Sequence, residues 1–185
     1  MKTAILLIPG FGLHPADYSI FIDHTDVHVV TLDIWPQHAE DFKEIGMPGS
    51  TTFNSWFERT LQKLDNVLTE NPSIGTIFVH SAGYLFGKRL ASRFGTRVVA
   101  FGVTPEVSTK TVFINGEYDS VASTHGSQHI LPCGHFGCVS EEAAGRCHAL
   151  LEALKQMCKE KEVYIDCRVE VAQLVKRYVT SINGE

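Results

Sequence analysis

Short, wholly apolar runs alternate along the chain with longer stretches of helical spacing. Ala4 to Ile8 is unbroken apolar sequence, stopped by Pro9-Gly10. A run without polar alternation predicts a strand buried on both faces, as in a parallel sheet. Val27 to Ile34, rich in β-branched residues, predicts a second strand. Ile74 to Val79, Val98 to Phe101, Thr111 to Ile114 and Gln128 to Leu131 predict four more. Phe53, Trp56, Phe57, Leu61, Leu64 and Leu68 follow helical spacing, and Asn71-Pro72 ends that helix near Glu70. Ala82, Leu85, Phe86, Leu90 and Phe94 mark a second helix, terminated by Gly95. Ser140 is a predicted N-cap, with Glu141 and Glu142 at the positive end of a helix that Ala143, Cys147, Leu150, Leu151, Leu154 and Met157 continue. Val171, Leu174, Val175 and Tyr178 give a last amphipathic segment. Residues 13–24 have room for a short helix, 35–51 read as a long excursion loop around Pro36, Pro48 and Gly49, and 120–127 read as a polar loop.

Strands alternating with helices predict the α/β class: a three-layer α/β/α sandwich with a mainly parallel central sheet. The 185 residues fit one domain spanning 1–185, with 159–185 as an additional C-terminal segment. At this size a chain buries roughly 70% of its extended surface, enough to fold without a metal or disulfide staple. The short link 103–109 between the fourth and fifth strands leaves no room for a lid. It is also shorter than the dozen or so residues of an ordinary parallel crossover.

Sixteen basic against 21 acidic residues give a net charge of -5, which argues against broad nucleic-acid or anionic-membrane binding. Lys88, Arg89, Arg93 and Arg97 read as a solvated helix face. No apolar stretch reaches 18 residues, and the run after Lys2 is too short for a secretory signal. The odd set Cys133, Cys138, Cys147, Cys158 and Cys167 reads as reduced thiols in a cytoplasmic protein.

In an open α/β sheet, ligands sit beyond the carboxyl ends of the strands. Ser81 follows the third predicted strand and opens a helix, with small Ala82 and Gly83 beside it. A serine on such a turn exposes its hydroxyl above the sheet, or serves as a helix N-cap. Asp119 and His135 lie beyond the fifth and sixth strands. The order Ser81, Asp119, His135 suits a nucleophile, an orienting acid and a base. Glu117 is a reserve acid, and His125 and His129 are weaker rivals for the base. Gly10-Phe11-Gly12 lets backbone approach a ligand closely, with the Phe11 N–H and the Ala82 N–H as oxyanion donors. It is no dinucleotide fingerprint, since residue 15 is Pro15. Gly10, Gly12, His14, Tyr18, Trp35, His80, Phe136 and Val139 are candidates for the substrate pocket. Cys133, His135 and Cys138, with His125 or His129, lack the paired spacing of a structural zinc site, so neither a metal nor a cofactor is expected. A nucleophilic Cys133 or Cys138 is a remote alternative.

Leu7-Ile8-Pro9-Gly10-Phe11-Gly12, His80-Ser81-Ala82-Gly83, Gly116-Glu117-Tyr118-Asp119 and Gly134-His135-Phe136 together resemble the α/β-hydrolase superfamily. With Trp56 before the nucleophile strand, the chain looks most like the small, lidless retinoblastoma-binding-protein-9-type serine hydrolases, over residues 3 to about 157. The resemblance implies Ser81 as nucleophile, Asp119 as acid, His135 as base and Phe11 and Ala82 as oxyanion donors. It also implies hydrolysis of an ester, thioester or amide. Val79 departs from the small residue usual at its position, and the short 103–109 link and the tail from Lys159 depart as well. A soluble hydrolase of a small ester or thioester is therefore expected. The alternatives are amidase or aminopeptidase-like cleavage, and a non-catalytic interaction protein whose C-terminal segment meets a protein partner.

Overall fold

A computed structural model describes residues 3–155 and 162–181. Six strands form one sheet: β1 (Ala4–Ile8), β2 (His28–Thr31), β3 (Ile74–His80), β4 (Arg97–Phe101), β5 (Thr111–Gly116) and β6 (His129–Leu131). Their order is β2-β1-β3-β4-β5-β6, and every pairing is parallel. The helices are α1 (Ser19–Thr25), α2 (Ala39–Ile45), α3 (Thr51–Glu70), α4 (Tyr84–Phe94), α5 (Glu141–Ala153) and α6 (Arg168–Ser181).

Alternation along the strands divides the core into two layers. Ile5, Leu7, Phe78, Val99 and Ile114 pack with Phe21 of α1, Ala143 and Cys147 of α5, and Val171 and Val175 of α6. Ala4, Leu6, Ile8, Ile77 and Val98 pack with Phe42 of α2, Leu61 and Leu64 of α3, and Phe86 and Leu90 of α4. With both faces covered, the central strands have no polar face, which explains their continuous apolar sequence. The result is a three-layer α/β/α sandwich of lidless α/β-hydrolase-like topology. The chain departs from β1 in opposite directions, to β2 on one side and β3 on the other. The carboxyl ends of β1 and β3 therefore flank the topological switch point, where such sheets hold ligands.

Several boundaries differ from expectation. β2 stops at Thr31 rather than Ile34, because the chain leaves the sheet edge to bury Ile34 and Trp35. The indole Nε1 of Trp35 donates to the Pro9 carbonyl at 2.8 Å. The excursion 35–51 contains α2, whose one buried apolar side chain, Phe42, meets the Phe11 ring at 4.4 Å. α3 is capped by Ser50, which accepts from the Phe53 N–H, a contact of about 1 kcal/mol. Ser140 caps α5 as predicted, but α5 ends at Ala153; Met157, Cys158 and Lys159 lie outside the described residues. In α6, Val171, Ala172, Val175 and Val179 are buried, and the helix packs on α1, completing the layer.

The β4–β5 link has no helix, yet the strands are parallel, with Val98 opposite Thr111 and Phe101 opposite Ile114. Nine extended residues span about 30 Å, ample to return along so short a strand. Buried Asn115 fastens the return. Its Oδ1 accepts from the Val103 N–H at 3.0 Å, and its Nδ2 donates to the Val103 carbonyl at 2.9 Å and to Ser127 Oγ at 2.8 Å. The basic residues of α4 and β4 are held in contacts to Glu106, Glu58, Asp65 and the Tyr178 carbonyl. Among the described residues, no helix is long and apolar enough to cross a membrane.

Candidate active site

Ser81 follows the last residue of β3 with φ at +50°, in the left-handed region. A non-glycine residue held there stores about 1–3 kcal/mol of strain. A 3-10 turn, Ser81–Gly83, then leads directly into α4. The neighbouring packing shows how Val79 is accommodated. A Cβ on Gly87 would lie 2.5 Å from Val79 Cγ1, so the space that Val79 occupies is left open by α4 one turn further on. A Cβ on Gly83 would meet the Ile8 and Pro9 carbonyls at 2.7 and 2.8 Å. Gly83 thus lets the start of α4 rest against the end of β1.

Asp119 lies on the loop after β5, its side chain fully buried. Its Oδ1 accepts from the Val121 and Ala122 N–H groups at 2.7 and 2.8 Å, and its Oδ2 faces His135 Nδ1 at 2.8 Å. Burial pushes its pKa up, but the hydrogen bond and charge of His135 and the two N–H donors outweigh burial and hold it below the usual carboxylate range. Ionised Asp119 can only accept, so His135 Nδ1 carries the proton and donates it. In the neutral ring Nε2 then accepts from the Ser81 hydroxyl, 2.8 Å away. Ser81, His135 and Asp119, 54 and 16 residues apart in sequence, thus form one hydrogen-bonded line.

A second line runs beneath the first. The Gly10 N–H donates to Tyr18 Oη at 2.9 Å, and Tyr18 Oη lies 2.8 Å from His80 Nδ1. His80 Nε2 lies 2.9 Å from the His135 carbonyl. Burial, helped by the charge of His135, pushes the His80 pKa down to about 3, so this ring is neutral. The carbonyl can only accept, so His80 carries its proton on Nε2, and Nδ1 accepts from Tyr18. The β1–α1 connection, the end of β3 and the His135 loop are thereby fastened together. A Cβ on Gly102, itself at φ +68°, would come within 3.0 Å of the His135 ring, so only glycine leaves that ring its place.

Glu162 was not foreseen in the sequence. Its carboxylate accepts from the His135 N–H at 2.8 Å and from the Ser120 N–H at 2.5 Å. A lone acidic residue bonding backbone N–H groups leaves no sequence pattern.

The other expected residues are distributed as follows. Phe11 and Ala82 are half-buried at the mouth of the switch point. The Phe11 ring stands 5.6 Å from Trp35. Gly10 and Gly12 are buried, and half-buried His14 places Nδ1 2.9 Å from Asp33 Oδ1. Tyr18, His80 and Val139 have no exposed surface; they lie under the site rather than lining an open pocket. Phe136 packs on His148 with ring centroids 5.0 Å apart. These two side chains, with Glu162 and Tyr164, line a cavity of 160 Å³ beside the His135 loop. Of the rival residues, His129 Nε2 is engaged with Tyr178 Oη at 2.7 Å, while His125 and Glu117 are exposed. Cys133 and Cys138 are fully buried, and burial pushes both thiols up, which disfavours the thiolate a cysteine nucleophile requires. Among the described residues, no three His, Cys, Asp or Glu side chains gather as a metal-holding group. Comparison of the chain with protein-family models and with curated proteins gives no match.

Proposed function

We propose that this chain is a serine hydrolase that cleaves a small carboxylic ester or thioester through an acyl-enzyme on Ser81. One observation carries the reading: Ser81 Oγ to His135 Nε2 and His135 Nδ1 to Asp119 Oδ2, each 2.8 Å, at the carboxyl edge of one parallel sheet. The likeness to the retinoblastoma-binding-protein-9-type hydrolases at Pro9-Gly10, Trp56, His80-Ser81 and Gly134-His135-Phe136 points the same way.

In this reading Ser81 Oγ bonds to the substrate carbonyl carbon while its proton passes to His135 Nε2. Asp119 stabilises the resulting imidazolium and keeps the ring in the required tautomer. His80, 5.3 Å away and neutral, adds no opposing charge. The carbonyl oxygen becomes an oxyanion facing the N–H groups of Phe11 and Ala82, the latter at the positive end of α4. Collapse breaks the bond to the alkoxide or thiolate, which takes the proton from His135. Water then repeats the sequence on the acyl-enzyme, losing its proton to His135 and releasing the acid with Ser81 restored. The strained backbone of Ser81 supports the assignment, because it holds the hydroxyl above the sheet in place of a relaxed cap. The 102–110 link carries no helix that could close over the site from that side, which supports a small substrate reached from solvent.

The test is turnover of short p-nitrophenyl esters. Ser81→Ala is expected to lose about 10³-fold or more in kcat. A fluorophosphonate is expected to label the wild-type chain on Ser81. Equal rates in the two proteins, with no adduct on Ser81, would overturn the proposal.

A further inference from the structure

We infer that Glu162 is a positioning residue for the acid and the base, an inference that rests on the hydrolase reading. Asp119 and His135 stand on separate loops, after β5 and β6. Among the described residues, backbone hydrogen bonds tie those loops together as far as Glu117 N to the Leu131 carbonyl and Tyr118 N to the Cys133 carbonyl. Beyond that point the backbone of each loop turns to the same side chain. Glu162 Oε1 takes the N–H of Ser120, the residue after Asp119, and Oε2 takes the N–H of His135 itself. One carboxylate thus sets the spacing of the two loops at the positions that carry the acid and the base. Charge-assisted bonds of this kind are roughly twice as strong as neutral ones.

Two further observations show that the arrangement is built. A Cβ on Gly134 would collide with Glu162 Oε2, so the glycine before His135 leaves the carboxylate its place. The segment bearing Glu162 is itself pinned to the His135 loop. Tyr164 Oη donates to the Val139 carbonyl at 2.6 Å, and the Cys167 N–H donates to the Gly137 carbonyl at 2.9 Å. Glu162 touches neither Ser81 nor the imidazole ring in any hydrogen bond; it acts through the backbone of its neighbours.

Glu162→Gln keeps the side-chain shape but turns an amide NH₂ toward one of the two N–H groups, so one bond is lost. For a short p-nitrophenyl ester, kcat is expected to fall about 10- to 100-fold, as for other small misplacements of reacting groups, with KM within about twofold. The downfield proton resonance of His135 Nδ1–H, a measure of its bond to Asp119 that needs no substrate, is expected to shift or broaden. Asp166→Asn, on the same segment, is expected to change neither. Unchanged kcat and resonance in folded Glu162→Gln would overturn the inference. So would a fall in kcat that matches a fall in folded fraction while the resonance stays put. If Glu162→Gln does not fold, the wild-type amides decide. Slow hydrogen exchange at both Ser120 and His135 supports the clamp, and fast exchange at either overturns it. If the wild type turns over no ester and Ser81 takes no fluorophosphonate, the hydrolase reading fails. The resonance and its response to Glu162→Gln then still report on the clamp alone.

Discussion

From β2 across to β4, each crossover carries at least one helix whose apolar stripe packs on the sheet; from β4 to β6, the links 102–110 and 117–128 carry none. The first half is held by burial: Phe78 stacks on Phe21 at 4.4 Å, and Phe86 stacks on Phe57 at 4.5 Å. The second half also buries Phe113 and Ile114, but its helix-free links are held by polar side chains that bond backbone. Asn115 fastens the 102–110 return, Gln128 Oε1 accepts from the Phe113 N–H at 2.7 Å, Asp119 folds its own loop, and Glu162 joins that loop to the next. Ser81 and Phe11 belong to the first half, and Asp119 and His135 to the second. Apolar packing is non-directional and sets where elements lie, whereas buried hydrogen bonds also fix orientation. The half that must aim a carboxylate at an imidazole nitrogen is the half built from directional bonds.

The largest effect is expected from Asp119→Asn, which attacks the directional half at its centre. The new amide can still accept from Val121 and Ala122, but it presents N–H to His135 and so favours the wrong tautomer. Ester turnover is expected to fall about 10⁴-fold with the thermal midpoint little changed. A variant that retained a tenth of wild-type turnover would break the proposed division of labour.

The two halves are next separated by a pair of substitutions. Phe78→Ala removes a fully buried ring and is expected to cost about 3–5 kcal/mol in urea unfolding, with turnover per folded molecule preserved. Asn115→Ala leaves the Val103 N–H and carbonyl without this partner and is expected to cost about 1–3 kcal/mol. It should also lower turnover, because the Asp119 loop loses its support. The reverse pattern, with turnover lost at Phe78 and kept at Asn115, would sink the comparison.

The last comparison is a pH dependence located where the halves meet. His80 ends β3 and bonds the His135 carbonyl. Its folded pKa of about 3 lies below the ordinary value of 6.5. As pH falls through the ordinary value, the unfolded chain takes up a proton that the folded chain refuses. Stability from His80 is therefore full above about pH 6.5 and lost toward pH 3, at up to about 1.4 kcal/mol per pH unit. Asp119, held below its ordinary value of 3.8, adds its own loss as pH falls through that ordinary value and below it. Urea titrations of wild type and His80→Gln between pH 6.5 and 4 should differ in slope by this amount. Parallel slopes would show that His80 is not held neutral by the fold.

The apolar half was the more legible in sequence. Ala4–Ile8, the stripe on Thr51–Glu70 and the run Ile74–His80 each show their burial in the spacing of their own residues. Ser81, Asp119 and His135 were legible because each follows a strand. α2 was hidden, since its single buried apolar side chain, Phe42, gives no stripe between Pro36 and Pro48. The fit of Val79 was hidden in Gly87, eight residues on and in another element. Tyr18 and His80 looked like pocket residues from their places beside glycine loops, and only tertiary packing puts them underneath. Glu162 and Asn115 bond backbone groups far away in sequence, and such partners carry no residue-type signal at all.

The tie from Glu162 to the Ser120 and His135 N–H groups also has a consequence for biosynthesis. A chain growing on the ribosome has exposed Ser81, Asp119 and His135 well before residue 162 emerges. α6, which covers the same layer of the sheet as α1, comes later still. The acid and base loops therefore lack this tie until residue 162 has emerged. Under the proposed hydrolase reading, turnover is expected to appear as a step once residues 162–181 have emerged rather than as a gradual rise with length.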